Sequence, residues 1–297
     1  MHRWGIDLGG TKIEGVVLDA KGKVVDRRRI ATEREHGYHH IVSRIALLVE
    51  ELRAVTGLKP ETVGIGIPGT MDTQTGLLKN SNTVVLNGQP FEQDVTTALG
   101  VPVKMANDAN CFAIAEARLG VVPQMAPDAK IVFGVILGTG TGGGLVVNGQ
   151  VLNGAQGIGG EWGHMFLDHS GGHCYCGRVG CVETIIAGPS LERYYANLAG
   201  QRRSMREIVP LYRAKKDRAA QATLARFFHF FAKGIANVIN VLDPDVVVLG
   251  GGLGQIDELY TEAVPMVVNH LFNPRMDTQI LRPQLGDSAG VFGAALL

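Results

Sequence analysis

The chain has 297 residues, a length that suits two domains better than a single hydrophobic core. Hydrophobic residues make up 45% of the sequence and charged residues 19%, which excludes an intrinsically disordered chain. Lysine plus arginine equals aspartate plus glutamate, at 28 each, so neither a nucleic-acid-binding surface nor a polybasic membrane patch is expected.

The N-terminal residues contain no secretory signal, and no apolar run approaches the roughly 18 residues needed to cross a bilayer. We therefore expect a cytoplasmic protein without a membrane partner. Four cysteines are too few for a disulfide framework in a chain of this length. The 40 glycines, about twice average usage, are clustered and predict several close approaches of backbone to backbone or to a ligand.

The first half of the chain predicts strands and two helices. Apolar and β-branched runs favour strands over residues 4–8, 13–18, 23–31, 63–67 and 101–106. Apolar residues at helical spacing predict helices over 38–55 and 111–119.

The second half predicts a similar cycle of elements. Strands are expected over 131–137, 145–147 and 246–249, with a hairpin turn at Asn148-Gly149. Helices are expected over 205–214, 219–242, 256–271 and 291–297. Each half opens with a strand, a glycine-rich turn and a second strand. Two such α/β halves usually leave a cleft, with ligands at the carboxyl ends of the strands.

The first glycine-rich turn has the sequence Asp7-x-Gly9-Gly10-Thr11-Lys12. Its two glycines allow a sharp turn that exposes backbone N–H groups, as an anion site requires. Thr11 and Lys12 add a hydroxyl and a cation for phosphate oxygens, and Asp7 offers an oxygen to Mg²⁺. The alternative is a plain hairpin in which the glycines serve geometry alone.

The second turn, Gly138-Thr139-Gly140-Thr141-Gly142-Gly143, matches the dinucleotide-binding pattern G-x-G-x-x-G, and Glu161 follows about 20 residues later. An NAD-dependent dehydrogenase therefore remains an alternative by spacing. That pattern must open a helix, however, whereas residues 145–149 predict a strand and a hairpin. A second strand-turn-strand phosphate loop is favoured. Gly250-Gly251-Gly252 follows a buried strand and either accommodates an adenine ring or allows close packing.

Cys174, Cys176 and Cys181 fall within eight residues. Structural zinc takes four nitrogen or sulfur ligands, so one more ligand is needed. His164, His169 and His173 are candidates, and spacing alone does not choose among them. The alternative is three free thiols in a glycine-rich loop, which is the less favoured interpretation.

Asp108 follows a predicted strand and precedes a helix, a position that suits a general base for phosphoryl transfer to a hydroxyl. The alternative is helix capping, which Asn110 can provide instead. Asn107, Glu161, His164 and Glu183 offer hydrogen bonds of the kind that sugar hydroxyls use. A solvated loop face is the alternative for each of them.

These motifs together resemble the ROK family of sugar kinases and repressors, within the actin-like ATPase fold. The matching segments run in order along almost the whole chain: 7–12, 66–69, 107–110, 138–144, 160–164, 174–183 and 243–252. The resemblance implies an α/β fold of two actin-like (ribonuclease H-like) domains with an interdomain cleft and strand-turn-strand phosphate loops. The first domain would span 1–118 and be rejoined by a C-terminal helix at 283–297. The second would span 119–282, with a zinc-binding loop at 164–183.

The resemblance also implies residue roles. Asp108 would be the general base that takes the proton from the 6-hydroxyl of a hexose. The sugar would be bound by Gly69, Asn82, Asn107, Asp108, Glu161, His164 and Glu183. ATP with Mg²⁺ would be bound by Asp7, Gly9, Gly10, Thr11, Lys12, Gly138, Thr139, Gly140, Gly251 and Gly252. A structural zinc would be held by His164, Cys174, Cys176 and Cys181, and the protein would be a homodimer.

Substrate choice rests on finer similarities. Residues 79–82 and 86–91 resemble the fructokinase and mannokinase branch, so fructose is the expected sugar. Residues 66–69 and 107–112 also resemble bacterial N-acetylglucosamine kinases, which makes that sugar or glucose the alternative. A sugar-responsive regulator is the alternative from another class. The family's repressors carry an N-terminal helix-turn-helix for which the residues before Asp7 leave no room, and the presence of Asp108 favours catalysis.

Overall fold

The structure, a computed structural model, describes residues 2–297; Met1, the first residue of the expected N-terminal domain, lies outside this range. The strands are β1 Arg3–Leu8, β2 Lys12–Leu18, β3 Val24–Ala31, β4 Val63–Ile67, β5 Thr70–Met71, β6 Leu78–Lys79, β7 Val103–Asn107, β8 Ile131–Leu137, β9 Thr141–Val147, β10 Gln150–Val151, β11 Val246–Gly250 and β12 Gln279–Leu281. The α-helices are α1 Tyr38–Thr56, α2 Phe91–Leu99, α3 Asp108–Arg118, α4 Val122–Met125, α5 Glu183–Ile186, α6 Gly188–Ala199, α7 Met205–Arg213, α8 Arg218–Leu242, α9 Val264–Met266 and α10 Ala289–Ala294.

The first sheet has the strand order β3-β2-β1-β4-β7. β1, β2 and β3 form an antiparallel meander, while β4 and β7 run parallel to β1. The central strand β4 is buried at all five positions, and the edge strand β3 alternates between exposed and half-buried residues. Such a pattern is typical of a sheet covered on both faces at its centre. Helix α1 buries Ile41, Ile45 and Leu48 in the same hydrophobic core as β1 and β4.

Helix α10 covers the first sheet through contacts with β1, β4 and α3. Its close approach depends on glycines. A methyl group on Gly64 would overlap the carbonyl oxygen of Ala294, and one on Gly293 would overlap the carbonyl oxygen of Cys111. Because these positions lack side chains, the last turn of the chain packs directly on the backbone of β4 and α3. The C-terminal segment is thereby an integral part of the first sheet's packing.

The second sheet has the strand order β10-β9-β8-β11-β12, with β8, β11 and β12 parallel. β11 is buried throughout, as expected for a parallel strand with both faces covered. The long helix α8 buries Phe227, Phe231 and Ile235. The expected hairpin turn between β9 and β10 is confirmed, because Asn148 and Gly149 both have positive φ angles, of 49° and 73°.

The chain forms two compact units. One comprises the chain up to Pro127 with Gly144–Gly159 and Gln284–Leu297, and the other comprises Asp128–Gly143 and Gly160–Pro283. The domain bounds expected from the sequence, 1–118 with 283–297 and 119–282, stay a prediction.

Several element bounds differ from those predicted. Helix α3 begins at Asp108, three residues before the predicted start, because Asn107 caps it. The segment predicted as one helix over 256–271 contains a π-helical turn, the short helix α9 and a 3-10 turn. Pro265 explains this break, since proline lacks the N–H that a continuous helix requires. Helices α2, α4, α5 and α6 were not predicted.

Within residues 2–297, no helix combines the length and apolar character needed to span a bilayer.

Candidate functional site

The turn between β1 and β2 is held in place by the chain that follows β3. Within the turn, the Gly9 N–H donates to the Lys12 carbonyl at 3.0 Å. Thr32 then fixes the turn twice: its hydroxyl donates to the Gly9 carbonyl at 2.7 Å, and its N–H donates to the Thr11 carbonyl at 3.1 Å. Thr11 and Lys12 are exposed. The turn is therefore a fixed hairpin that presents a hydroxyl and a cation to solvent, as a phosphate site requires.

Asp7 has an unusual carboxyl environment at the end of β1. Burial, followed by the nearby carboxylates of Asp108 and Glu14, raises its pKa to about 6. Glu14 lies directly opposite Asp7 on β2 and is paired with Arg29 at 2.5 Å. The Asp108 carboxylate is therefore close enough to Asp7 to affect its titration. A pair of like charges of this kind favours either a proton or a bound cation.

Asp108 is exposed at the first position of α3, immediately after β7. The helix is capped by Asn107, whose side-chain oxygen accepts from the Ala109 N–H at 2.9 Å. One Asp108 oxygen also accepts from this N–H, at 2.8 Å. The idea that Asn110 caps the helix is wrong, because Asn110 is buried and its side-chain oxygen accepts from the Leu145 N–H at 3.2 Å. Asn107 and Asp108 therefore share the first free N–H of the helix, and the role of Asp108 as a base stays a prediction.

The other predicted sugar residues of the first unit lie on neighbouring loops. The Asn107 amide donates to the Gly69 carbonyl at 3.2 Å, so these two residues are in direct contact. Asn82 is exposed in a loop that Asn87 fixes by bonding both the N–H and the carbonyl of Ser81, at 2.8 and 2.9 Å. A loop fixed on both sides of its backbone can present the Asn82 amide in one orientation.

The glycine turn after β8 does not open a helix. β9 begins at Thr141, inside the turn, so the dinucleotide pattern lacks the helix on which its phosphate binding depends. The Gly138 N–H donates to the Gly140 carbonyl at 2.9 Å, and Thr139 is exposed. The Thr141 hydroxyl is buried without a hydrogen-bond partner among the described residues. Sequence reasoning missed Thr141, although its hydroxyl in a glycine turn was the available signal.

Glu161, His164 and Glu183 gather near this turn within the second unit. A Glu183 oxygen accepts from the Thr141 N–H at 3.0 Å. Burial raises the pKa of Glu161, His164 lowers it, and Glu183 raises it. The 3-10 turn that separates Glu161 from His164 is anchored by Trp162, whose indole N–H donates to the Gly142 carbonyl at 2.9 Å. The three predicted side chains are thus brought together electrostatically.

The two glycines of the Gly251-Gly252 turn have different surroundings. Gly251 has a φ of 79°, and a methyl group there would overlap the carbonyl of Leu137 at the end of β8. Gly252 is exposed and has no neighbour within 4 Å of such a methyl group. The first glycine therefore serves close packing, and the second leaves an open backbone surface.

Four potential metal ligands meet in the second unit: His164, Cys174, Cys176 and Cys181, whose ligand atoms all lie within 4.8 Å of one another. Cys174 Sγ lies 3.5 Å from His164 Nδ1, and Cys176 Sγ lies 3.6 Å from Cys181 Sγ. Tetrahedral ligands at about 2.0–2.3 Å from zinc lie about 3.3–3.8 Å apart, so the donor types and spacings fit zinc. His164, rather than His169 or His173, completes the cluster.

The remaining nitrogen of His164 also has a partner. Its Nε2 lies 2.9 Å from the Tyr175 hydroxyl, which leaves Nδ1 directed at the sulfurs. A hydrogen bond at the second ring nitrogen is the usual way in which a ligating histidine is oriented. Tyr175 was not predicted from the sequence, and its position between two cysteine ligands was the only signal for it.

Comparison with known proteins gives consistent matches over the whole chain. The ROK family matches residues 3–297. The chain is 38% identical to the N-acetyl-D-glucosamine kinase of Histophilus somni and 37% identical to that of Vibrio cholerae, in each case over 99% of this chain and 98% of the relative.

Solved structures agree with the fold. The ROK hexokinase from Thermus thermophilus superposes with a TM-score of 0.89 at 32% identity, covering 100% of this chain and 97% of that one. A ROK family glucokinase from Streptomyces griseus, solved with glucose and AMPPNP, gives 0.78 at 28% identity, covering 99% and 98%. The α/β fold expected from the sequence is thereby confirmed.

The raised pKa of Asp7 predicts a pH dependence of stability. Its folded value of about 6 lies above the ordinary value of 3.8, so between these pH values the folded chain binds more protons than the unfolded chain. This group's contribution to the free energy of unfolding therefore falls as pH rises from about 4 to 6, by about 1–3 kcal/mol. Asp7→Asn should lose this dependence and melt higher than the parent at pH 7.5.

Melting temperatures of both proteins at pH 4.5 and pH 7.5, without ATP or metal, test this expectation. Asp26→Asn, a change at a carboxylate paired with Arg28 on β3, serves as the control. If Asp7→Asn melts no higher than the parent at pH 7.5, the electrostatic description of Asp7 is wrong.

Proposed function

This chain belongs to the ROK family, and we propose that it is an ATP-dependent kinase that transfers a γ-phosphoryl group to the 6-hydroxyl of a hexose. The observation that carries this proposal lies in the first unit. There the exposed carboxylate of Asp108 acts electrostatically on Asp7, which closes β1 just before the fixed turn Gly9–Lys12. A base for the acceptor and a site for the donor phosphates thus belong to one rigid sheet.

Phosphoryl transfer depends mainly on positioning and charge neutralisation. On this proposal, the turn at Gly9–Lys12 and the turn at Gly138–Gly140 hold the ATP phosphates through backbone N–H groups, the Thr11 and Thr139 hydroxyls and the Lys12 ammonium group. The exposed backbone at Gly251-Gly252 accommodates adenosine. Mg²⁺ bound with ATP would supply charge neutralisation for the phosphates, and Asp7 would hold it through a water molecule.

Asp108 acts as general base. The 6-hydroxyl oxygen attacks the γ-phosphorus, the bond from that phosphorus to the β–γ bridging oxygen breaks, and ADP leaves. The hydroxyl proton passes to the Asp108 carboxylate as the new O–P bond forms. Asn107 caps α3, and the exposed Asp108 carboxylate at the first position of this helix would face the acceptor.

The sugar hydroxyls are recognised by the remaining predicted residues: Gly69, Asn82 and Asn107 in the first unit, and Glu161, His164 and Glu183 in the second. A buried polar group that is left without its hydroxyl partner costs free energy. A site built from such groups therefore discriminates strongly against sugars that lack that hydroxyl. Glu161 and Glu183 supply carboxyl oxygens that would accept hydrogen bonds from sugar hydroxyls.

We propose N-acetylglucosamine as the preferred acceptor. The relatives at 37–38% identity over nearly the full chain are named N-acetyl-D-glucosamine kinases, and this sugar was the alternative given by residues 66–69 and 107–112. The fructose expectation, drawn from residues 79–82 and 86–91, has no such support. Short motifs are a poor guide to the sugar, because the choice of hexose depends on a few contacts and on pocket shape that they do not encode.

We also propose that His164, Cys174, Cys176 and Cys181 bind a structural zinc ion. With four protein ligands the ion has no open position, so it orders the loop rather than reacting. Through His164 the ion would couple the loop's order to the placement of a sugar-binding side chain. The expected domain bounds, homodimer and cytoplasmic location belong to the same proposal.

Asp108→Asn should fold normally and bind sugar within about threefold of the parent, while kcat falls at least about 100-fold because no base remains. ADP release with ATP, Mg²⁺ and N-acetylglucosamine measures the rate, and calorimetric titration of the sugar measures binding. Asp128→Asn, at an exposed aspartate, should keep parental turnover. A folded Asp108→Asn protein with near-parental kcat would remove Asp108 as the base.

Cys176→Ser should lower zinc content and melting temperature together, because loss of one of four ligands weakens the site and the loop that it orders. Metal analysis of the purified protein and thermal melts with and without a chelator measure both effects. Cys111→Ala, at a buried cysteine in the first unit, should keep about one zinc per chain. Unchanged zinc content in Cys176→Ser would refute the metal assignment.

A further inference from the structure

A short segment beside the phosphate turn has no part in the proposed ATP, sugar or zinc sites. It begins at Thr32, which is buried and bonded to both Gly9 and Thr11. At Glu33 the backbone takes a φ of 53° and a ψ of 45°, a left-handed conformation that is unusual for a residue with a side chain. Such strain persists only where neighbouring contacts fix it, and here it redirects the chain across the turn.

The strained residue is held from helix α1. The Glu33 carboxylate lies 2.8 Å from His40 Nε2 and 3.7 Å from Arg44 Nη2. Thr32 and Glu33, the two residues before Arg34, are fixed by these contacts. A methyl group on Gly10 would lie 3.2 Å from Nη1 of Arg34. The guanidinium group therefore lies beside Gly10 of the phosphate turn.

A second polar group points to the same place. The Thr83 side chain is only 3% exposed, and its hydroxyl has no hydrogen-bond partner among residues 2–297. This hydroxyl lies 3.8 Å from the same methyl position on Gly10. A buried hydroxyl without a partner costs free energy. Such a hydroxyl beside the turn therefore indicates a ligand that pairs with it when bound. Thr83 directly follows Asn82, the proposed sugar contact.

The Arg34 guanidinium also lacks a carboxylate. Within the part of the chain that the structure describes, no ion pair or hydrogen bond joins Arg34 to a side chain, although three neighbouring arginines, Arg27, Arg28 and Arg29, are each paired. Arg34 is exposed. A free guanidinium next to a backbone anion site is the arrangement that recognises a phosphoryl group, since its planar donors match two phosphate oxygens.

We propose that Arg34, assisted by the Thr83 hydroxyl, binds the phosphoryl group that is transferred to the sugar, and is therefore a further catalytic residue. The inference rests on the proposed kinase function. The Arg34 guanidinium and the hydroxyl of Thr83, which directly follows Asn82 in the chain, both lie beside Gly10 of the donor turn. They would therefore meet the phosphoryl group where the γ-phosphate of ATP becomes the 6-phosphate of the product.

The role is electrostatic. Asp108 takes the proton of the 6-hydroxyl, the new O–P bond forms and the bond to the bridging oxygen of ADP breaks. Arg34 stays protonated throughout and neutralises charge on the non-bridging oxygens. Because this contact is made to the phosphoryl group, loss of Arg34 should weaken binding of the phosphorylated product and of the transition state, and leave binding of the free sugar unchanged.

Arg34→Ala tests this difference directly. Calorimetric titration should show at least about tenfold weaker binding of N-acetylglucosamine 6-phosphate and free-sugar binding within about twofold of the parent. Turnover should fall at least about tenfold in kcat with little change in KM for the sugar. Added guanidinium ion should restore part of the lost kcat in Arg34→Ala. Arg53→Ala, at an arginine paired with Glu50 on α1, is the matched control and should behave as the parent.

Thr83→Val adds an independent arm. Because it removes a hydroxyl without a partner and keeps the side-chain volume, the melting temperature of the ligand-free protein should stay equal or rise. Binding of the 6-phosphate should still weaken. The inference would be overturned if both variants bound the 6-phosphate as the parent does. It would also be overturned if Arg34→Ala lost binding of the free sugar and of the 6-phosphate equally. Absence of ADP release by the parent protein would instead contradict the proposed kinase.

Discussion

Two carboxylates of like charge, those of Asp7 and Asp108, act on each other at one end of the first sheet, and the functional account depends on this pair. They belong to β1 and to the helix after β7, with β4 between these strands. Gly66 of β4 adjoins Asp7, since a methyl group on it would lie at an ordinary contact distance, 3.5 Å, from a carboxyl oxygen of Asp7. Burial and then the Asp108 carboxylate raise the pKa of Asp7, and on the proposed function a cation with its phosphate ligands would relieve the repulsion between the two carboxylates.

The rest of the first unit maintains the positions of these two groups. Helix α10 lies on β1 and β4 through glycine contacts, and it also packs on α3, which begins with Asp108. Glu116, fully buried on α3, accepts the N–H groups of Val121, Gln284 and Leu285, at 2.8 to 3.1 Å. One buried carboxylate therefore joins the helix of the proposed base to the segment that leads into α10. Core packing and the position of the base are coupled in this way.

Much of the fold and of the site was predictable from the sequence. The strands over 63–67 and 131–137 have the predicted bounds, because continuous apolar runs between polar or glycine-rich segments leave little choice. The cysteine cluster was equally accessible, whereas the choice of His164 over His169 and His173 came from the family resemblance and not from spacing. Helices α2 and α6 were missed, because their short amphipathic patterns are weak without knowledge of the sheet that they cover.

Contacts set by tertiary packing were not predictable. The sequence around Asn107 and Asn110 does not show which of the two residues caps α3. The choice depends on the buried hydrogen bond between Asn110 and the Leu145 N–H. Arg34 and Thr83 are 49 positions apart in the sequence, and both lie beside Gly10 only in the folded chain. The identity of the sugar is the feature least predictable from the sequence, because it depends on a few hydroxyl contacts made by loops.

The most direct test of the account is ATP-dependent ADP release by the purified protein with Mg²⁺ and, separately, N-acetylglucosamine, N-acetylmannosamine, glucose, mannose and fructose. We predict turnover with a hexose that has a free 6-hydroxyl, and the highest kcat/KM with N-acetylglucosamine. A highest value with fructose would keep the kinase and replace the proposed substrate. If folded, zinc-containing protein released no ADP with any of these sugars, the proposed sugar kinase activity would be contradicted.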